Sequence, residues 1–197
     1  MKRLRTRVPI VAVLVWAAMP LSAAAPAAAD YVLHEGRFAL RPPQGWSASR
    51  DAREDARQKV YGVLLTGPRS VEGVRTIISV AYYPPDNALF KGGAAEFLKR
   101  NLESDERFVA PAGETTSPAA KASLAGLPAQ RFTRHSHVYL PPGRMDAKAV
   151  AVVEEVYAVP AKMGFYVVSL KASERLARKL KPQFNRVLAS LRFLDVP

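Results

Sequence analysis

Thr76-Ile77-Ile78-Ser79-Val80-Ala81-Tyr82-Tyr83 decides the fold. The stretch is rich in β-branched and aromatic residues and reads as a strand. Successive side chains of a strand point to opposite faces. Ile78, Val80 and Tyr82 therefore share one face, and Ile77 and Ala81 the other. Both faces are apolar, so both need cover. That predicts a central strand in a sheet with helices on each side.

The neighbouring segments supply the rest of the sheet. Val60 to Thr66 (VYGVLLT) is a second strand-forming run, and Gly67 to Gly73 reads as the turn of an antiparallel hairpin. Upstream, Gly36 to Arg41 alternates as a first strand. Pro42-Pro43-Gln44-Gly45 then makes a turn, and Trp46 opens another short strand with its indole as a core anchor. The mixed-charge run from 50 to 59 (RDAREDARQK) reads as a solvated loop or helical turn.

Downstream, Pro84-Pro85 closes the central strand and Ala94 to Glu103 forms a helix with Phe97 and Leu98 on its apolar face. Ser104 to Ala120 has no clear period and reads as a loop with room for a short extended piece. Lys121 to Leu124 and Leu127 to Leu140 form a hairpin turning at Ala125-Gly126. Ala149 to Val159 and Phe165 to Lys171 are two more strands, joined across Met163-Gly164. A second helix runs from about Ser173 to Leu191, with Leu176, Leu180, Phe184, Val187, Leu188 and Leu191 in one stripe. Pro182 lies inside it and is expected to kink or split it. Arg192 to Leu194 adds a last short strand. The order is that of an α+β protein, a mainly antiparallel sheet flanked by helices in an α/β/α sandwich.

The N-terminus carries an address. Lys2, Arg3, Arg5 and Arg7 precede an apolar run from Val8 to Leu21, and a small-residue stretch ends in Ala27-Ala28-Ala29 before Asp30. That is the order of a cleaved secretory signal. The apolar run is shorter than the roughly 20 residues of a spanning helix. The expectation is a signal peptide over 1–29, a single domain over 30–197, no transmembrane segment after cleavage, and a soluble periplasmic location. The chain has no cysteine, which excludes a lipid anchor on cysteine, disulfides and thiol chemistry.

The formal charge is +12, and removal of the four basic residues of the signal leaves about +8. A basic balance favours anionic partners: lipid headgroups, polyanionic envelope polymers or an acidic protein surface. Nucleic acid is not expected, because the chain carries an export address and no helix-turn-helix, zinc-finger or ribonucleoprotein motif.

Three segments carry a family resemblance. They are Gly36-x-Phe38 through Pro43-x-Gly45-Trp46; Leu124-x-Gly126-x-Pro128-Ala129-x-x-Phe132; and Phe184-x-x-Val187-Leu188-x-Ser190-Leu191 running into Phe193. Together they resemble the PsbP-like superfamily, which includes bacterial envelope proteins of the DcrB-like type. The resemblance implies an antiparallel sheet between helices and a binding or assembly role. It carries no catalytic residue and no cofactor.

Two candidate sites stand out. His135 and His137 sit two apart on a strand, so both imidazoles share a face and can reach one metal ion. Zinc needs three or four ligands, for which His34, Glu154 and Glu155 are available by residue type. The second site is the basic side of the last helix, where Arg175, Arg178, Lys179 and Arg186, with Lys181 and Arg192, face Glu174 as the acidic neighbour. Its binding is expected to be electrostatic and salt-sensitive, because the helix's apolar stripe belongs to the core.

Tyr82-Tyr83-Pro84-Pro85 and Tyr139-Leu140-Pro141-Pro142 read as strand terminators or as an aromatic recognition edge. Glu154 and Glu155 point to opposite faces, and the one on the core side requires an Arg or hydroxyl partner. There is no Gly-x-Ser-x-Gly elbow, His-Glu-x-x-His zinc motif, phosphate loop or dinucleotide fingerprint. The expected function is an exported, non-enzymatic periplasmic accessory protein that binds another envelope component and aids its assembly or stability. A metal-binding accessory role through His135 and His137 is the alternative, and a small hydrolase with a dispersed site the third reading.

Overall fold

The two-sided apolar strand, β5 (Arg75–Tyr83), lies inside an eight-stranded antiparallel sheet. A computed structural model describes residues 31–32, 37–103 and 113–194. Residues 1–29, read above as a signal peptide, His34 and most of the loop after the first long helix lie outside the described residues. In chain order the remaining elements are β1 (Tyr31–Val32), β2 (Phe38–Leu40), β3 (Ser47–Ser49), α1 (Ala52–Gln58), β4 (Tyr61–Arg69), α2 (Gly93–Leu102), β6 (Thr115–Thr116), β7 (Ala120–Leu124), β8 (Leu127–Leu140), β9 (Lys148–Ala161), β10 (Gly164–Ser173), α3 (Glu174–Ser190) and β11 (Arg192–Phe193).

The large sheet has the order β3-β4-β5-β10-β9-β8-β6, with β7 also pairing β8. Each of its pairings is antiparallel. β5 and β10 are register-locked from Phe165↔Tyr83 to Lys171↔Ile77. β8 and β9 pair along eleven residues of each strand, from Gln130↔Ala158 to Leu140↔Lys148. A one-residue slip would turn every buried side chain to the wrong face, so the apolar pattern fixes these registers.

The two faces are covered by different helices, as the two-sided strand demands. α3 packs on β10, β9, β5 and β2, while α2 packs on β10 and β9 from the other side. On the α3 face, Ile78, Val80, Tyr82, Tyr166, Val168, Leu170, Phe184 and Val187 form one core. On the α2 face, Phe97, Phe132, Val156, Ala158, Phe165 and Val167 form a second. β10 feeds both by alternation: Tyr166 and Val168 go one way, Phe165 and Val167 the other.

Local chemistry explains some of the element ends. α1 forms where a loop or helical turn was expected, because Asp51 caps it by accepting the N–H of Arg53 (3.2 Å) and of Glu54 (3.0 Å). Ala125 and Gly126 both have positive φ (49° and 81°), the signature of a tight hairpin turn whose twist matches its strands. α3 remains one helix of 17 residues despite Pro182. Pro182 lies on the exposed side, so the carbonyl of Arg178, left without its helical donor, falls on the solvent-facing stripe.

Two expectations are corrected. Gly67, Pro68 and Arg69 belong to β4 rather than to the turn, which is confined to residues 70–74. A register shift between Thr66 and Arg69 admits the proline to the strand. The glycine is required there because a Cβ at Gly67 would lie 2.5 Å from the half-buried Trp46 ring. The second correction is a small separate sheet, β1-β2-β11, which the sequence showed only as two unconnected pieces. It buries Phe38, Ala39 and Leu40, and Phe193 stacks against Tyr166 with ring centroids 4.1 Å apart.

Candidate partner-binding surface

α3 turns about 100° per residue, and this period sorts its cations. Ala177, Leu180, Phe184 and Val187 fill the buried side. Arg175, Arg178, Lys179 and Arg186 fall together on the opposite side, and all four are exposed. From Arg175 to Arg186 the stripe is about 16 Å long. Among the described residues no carboxylate forms a salt bridge with any of the four. Glu72, on the β4–β5 turn, feels Arg175. Its carboxyl is held below the usual range by the Ser70 hydroxyl, by its own backbone N–H, and to a smaller degree by Arg175.

Two expected members of the basic side do not belong to this stripe. Lys181 turns inward and pairs with Glu155 on β9. Arg192 is in β11, paired with Ala39 of β2. The free-standing set is therefore the four residues named above.

Glu155 answers the question of the paired carboxylates. It lies on the α3 face, its side chain only 15% exposed, and accepts from Lys181 and from the Tyr157 hydroxyl (2.8 Å), with Arg131 at 3.8 Å. Glu154 lies on the α2 face, 3.7 Å from Arg134, which also donates to Asn101 of α2 (2.8 Å). Each acid has the cation its burial requires. Beside Glu155, a cavity of about 310 Å³ opens between α3 and the sheet, lined by Thr133, Val153, Leu170, Ala177, Arg178 and Lys181. Sequence reasoning missed it, because its walls come from four separate elements.

The histidines are brought to one face of β8 but engage different partners. The exposed His135 Nδ1 is 3.0 Å from Glu174 Oε1, at the first turn of α3. The half-buried His137 donates its backbone N–H to Glu114 Oε1 at 3.4 Å, and its ring lies beside Gly113. Among the described residues no group of three His, Asp or Glu side chains converges as a metal site. The strand exits also differ. Tyr82 is buried and bonds to the Met163 carbonyl, and Tyr83 stacks on Phe165 (4.6 Å), so this exit serves the core. Tyr139 is exposed.

No helix among the described residues is long and apolar enough to cross a membrane. No family model and no curated protein matches the chain. Solved structures do. One is a protein from Bacteroides thetaiotaomicron, with a TM-score of 0.50 at 11% identity over 83% of this chain and 47% of that one. The chain thus spans about half the length of that protein. A second is LpqN of Mycobacterium tuberculosis, described as involved in cell envelope biogenesis, with a TM-score of 0.43 at 16% identity over 80% of this chain and 83% of that one. A third is the cyanobacterial PsbP of Synechocystis, with a TM-score of 0.46 at 14% identity over 89% and 99%. At such identities the likeness is one of fold alone.

Proposed function

We propose that this protein is a non-catalytic accessory module of the cell envelope that binds an anionic component through the outer stripe of α3 and aids its assembly or stability. The domain over 30–197 acts in the periplasm after the segment over 1–29 directs export and is removed. Arg175, Arg178, Lys179 and Arg186 are the contact residues. The observation that carries the reading is their placement: four exposed cations on one helix face, none in a salt bridge with a described carboxylate, on a helix whose other side is fixed in the core. Such a face raises the local concentration of anionic partners and loses strength with salt.

The test is to express the tagged full-length chain in its own host and identify what co-purifies at low and at high salt. A partner held at low salt, released at high salt and lost in an Arg178→Glu/Arg186→Glu variant is the expected result. A partner retained by a variant reversing all four cations overturns the reading.

A further inference from the structure

Antiparallel topology gathers several chain segments at one end of the large sheet. β4 ends there and β5 begins; β8 ends and β9 begins; β10 ends and α3 begins. β8 and β9 run four residue pairs beyond the last pairing with β10, at Ser173↔Val152, so their turn projects. The two hairpin tips meet: a Cβ on Gly73 would lie 3.7 Å from Leu140 Cδ1. A cleft of about 510 Å³ joins Arg69, Val71 and Glu72 of the first tip to Arg175 and Lys179 of α3.

Turn positions favour Gly, Asn, Asp, Ser and Pro. These tips instead present large apolar groups to water. Val71 is 91% exposed, Met145 is fully exposed, and Tyr139 is 59% exposed. Around them stand Arg69, Arg75, Arg144, Lys148, Arg175 and Lys179, against Glu72, Glu114, Asp146 and Glu174. Arg144 spends its charge on Asp146 (2.9 and 3.1 Å), and Glu174 faces His135. The balance at this end stays positive.

We infer that this end of the molecule docks on an anionic lipid bilayer, with Val71, Tyr139 and Met145 entering the headgroup region and the surrounding cations contacting lipid phosphates. Separate apolar tips on protruding turns suit a fluid interface, which closes around each, better than they suit a rigid protein surface, which would need a matching hole for each. Tyrosine is at home at the headgroup level, and each cation near an anionic surface adds to the attraction. The inference rests on the anionic-partner reading for Arg175 and Lys179 but adds an apolar contact which that reading does not require.

The experiment uses protein recovered from cells expressing the full-length chain, sedimented with phosphatidylglycerol-containing vesicles and with pure phosphatidylcholine vesicles. The expected result is partition to the anionic vesicles alone. A Val71→Ser/Tyr139→Ser/Met145→Ser variant is expected to lose roughly tenfold in partition while keeping its melting temperature. Emission from a Met145→Trp variant is expected to shift to the blue on those vesicles. Absence of preference for anionic vesicles, or wild-type partition by the triple serine variant, overturns the inference. A protein that ignores vesicles yet loses a soluble partner on Arg178→Glu/Arg186→Glu sinks lipid docking and leaves the α3 reading standing.

Discussion

Lys181 of α3 reaches across to Glu155 of β9, and this contact divides the cations of the helix into two kinds. Lys181 completes a part-buried cluster with Tyr157 and Arg131, and its loss leaves Glu155 short of a partner. Truncation at Lys181 is expected to destabilise the fold by about 1–2 kcal/mol. Arg178→Ala and Lys179→Ala, on the outer stripe, are expected to stay within about 0.5 kcal/mol of wild type. Urea denaturation of the three variants measures the contrast. Equal effects at 181 and 178 would mean that the inward pair contributes nothing.

Two glycines with positive φ separate backbone strain from steric collision. Gly143 (φ 72°) lies in the β8–β9 turn with open space where a Cβ would go. Gly164 (φ 106°) begins β10, where a Cβ would collide with the Tyr83 carbonyl oxygen and sit 3.0 Å from Pro84 Cα. Gly143→Ala carries only the left-handed backbone penalty, about 1–2 kcal/mol. Gly164→Ala adds displacement of the central strand pair and is expected to cost about 3 kcal/mol or more. Paired unfolding curves test the order, and a Gly164→Ala protein no less stable than Gly143→Ala would refute the close approach.

The parts of this molecule that are legible in its sequence are those where a local period meets a single environment. The apolar faces of β5, the stripe of α3 and the glycine turn at Ala125-Gly126 each announce themselves within a dozen residues, and each stands in the structure as expected. What escapes is long-range. β11 is two residues long and exists because Phe193 pairs with Phe38 across the whole chain. Pro68 reads as a breaker, yet a bulge carries it within β4. Lys181 looks like one more surface cation until β9 brings Glu155 beneath it. The helical period places Arg175, Arg178, Lys179 and Arg186 on one face without ambiguity, but it gives no sign that two distant turns bring Val71 and Met145 to the same end of the molecule.

The two faces of the sheet should behave as separate cores. Phe97 anchors α2 on one side, and Phe184 anchors α3 on the other, buried completely. Removing either ring leaves a cavity and the lost burial, about 3–5 kcal/mol each. The sheet lies between the two residues and they share no aromatic partner, so the double variant is expected to lose the sum within about 0.5 kcal/mol. Chemical denaturation of Phe97→Leu, Phe184→Leu and the pair, milder changes chosen to keep the protein folded, measures this. A coupling well above that bound would show that the two layers pack as one unit.

Stability should also fall in alkali through Tyr166. Its side chain is fully buried, its hydroxyl donates to the Arg37 carbonyl (3.0 Å), and Tyr82 lies against it with ring centroids 4.9 Å apart. Burial, reinforced by Tyr82, pushes its pKa from the ordinary 10.0 up to about 12. The native state therefore keeps this proton at a pH where the unfolded chain gives it up. The contribution of Tyr166 is intact below pH 10 and is lost as the pH climbs to about 12, a fall of about 2–3 kcal/mol. Urea unfolding at rising pH, with tyrosinate absorbance as a second signal, follows the decline. Tyr166→Phe loses about 1 kcal/mol at neutral pH with the hydrogen bond, but should show a shallower alkaline limb. If wild type and Tyr166→Phe decline with the same slope, the alkaline sensitivity belongs to other groups and Tyr166 is not its source.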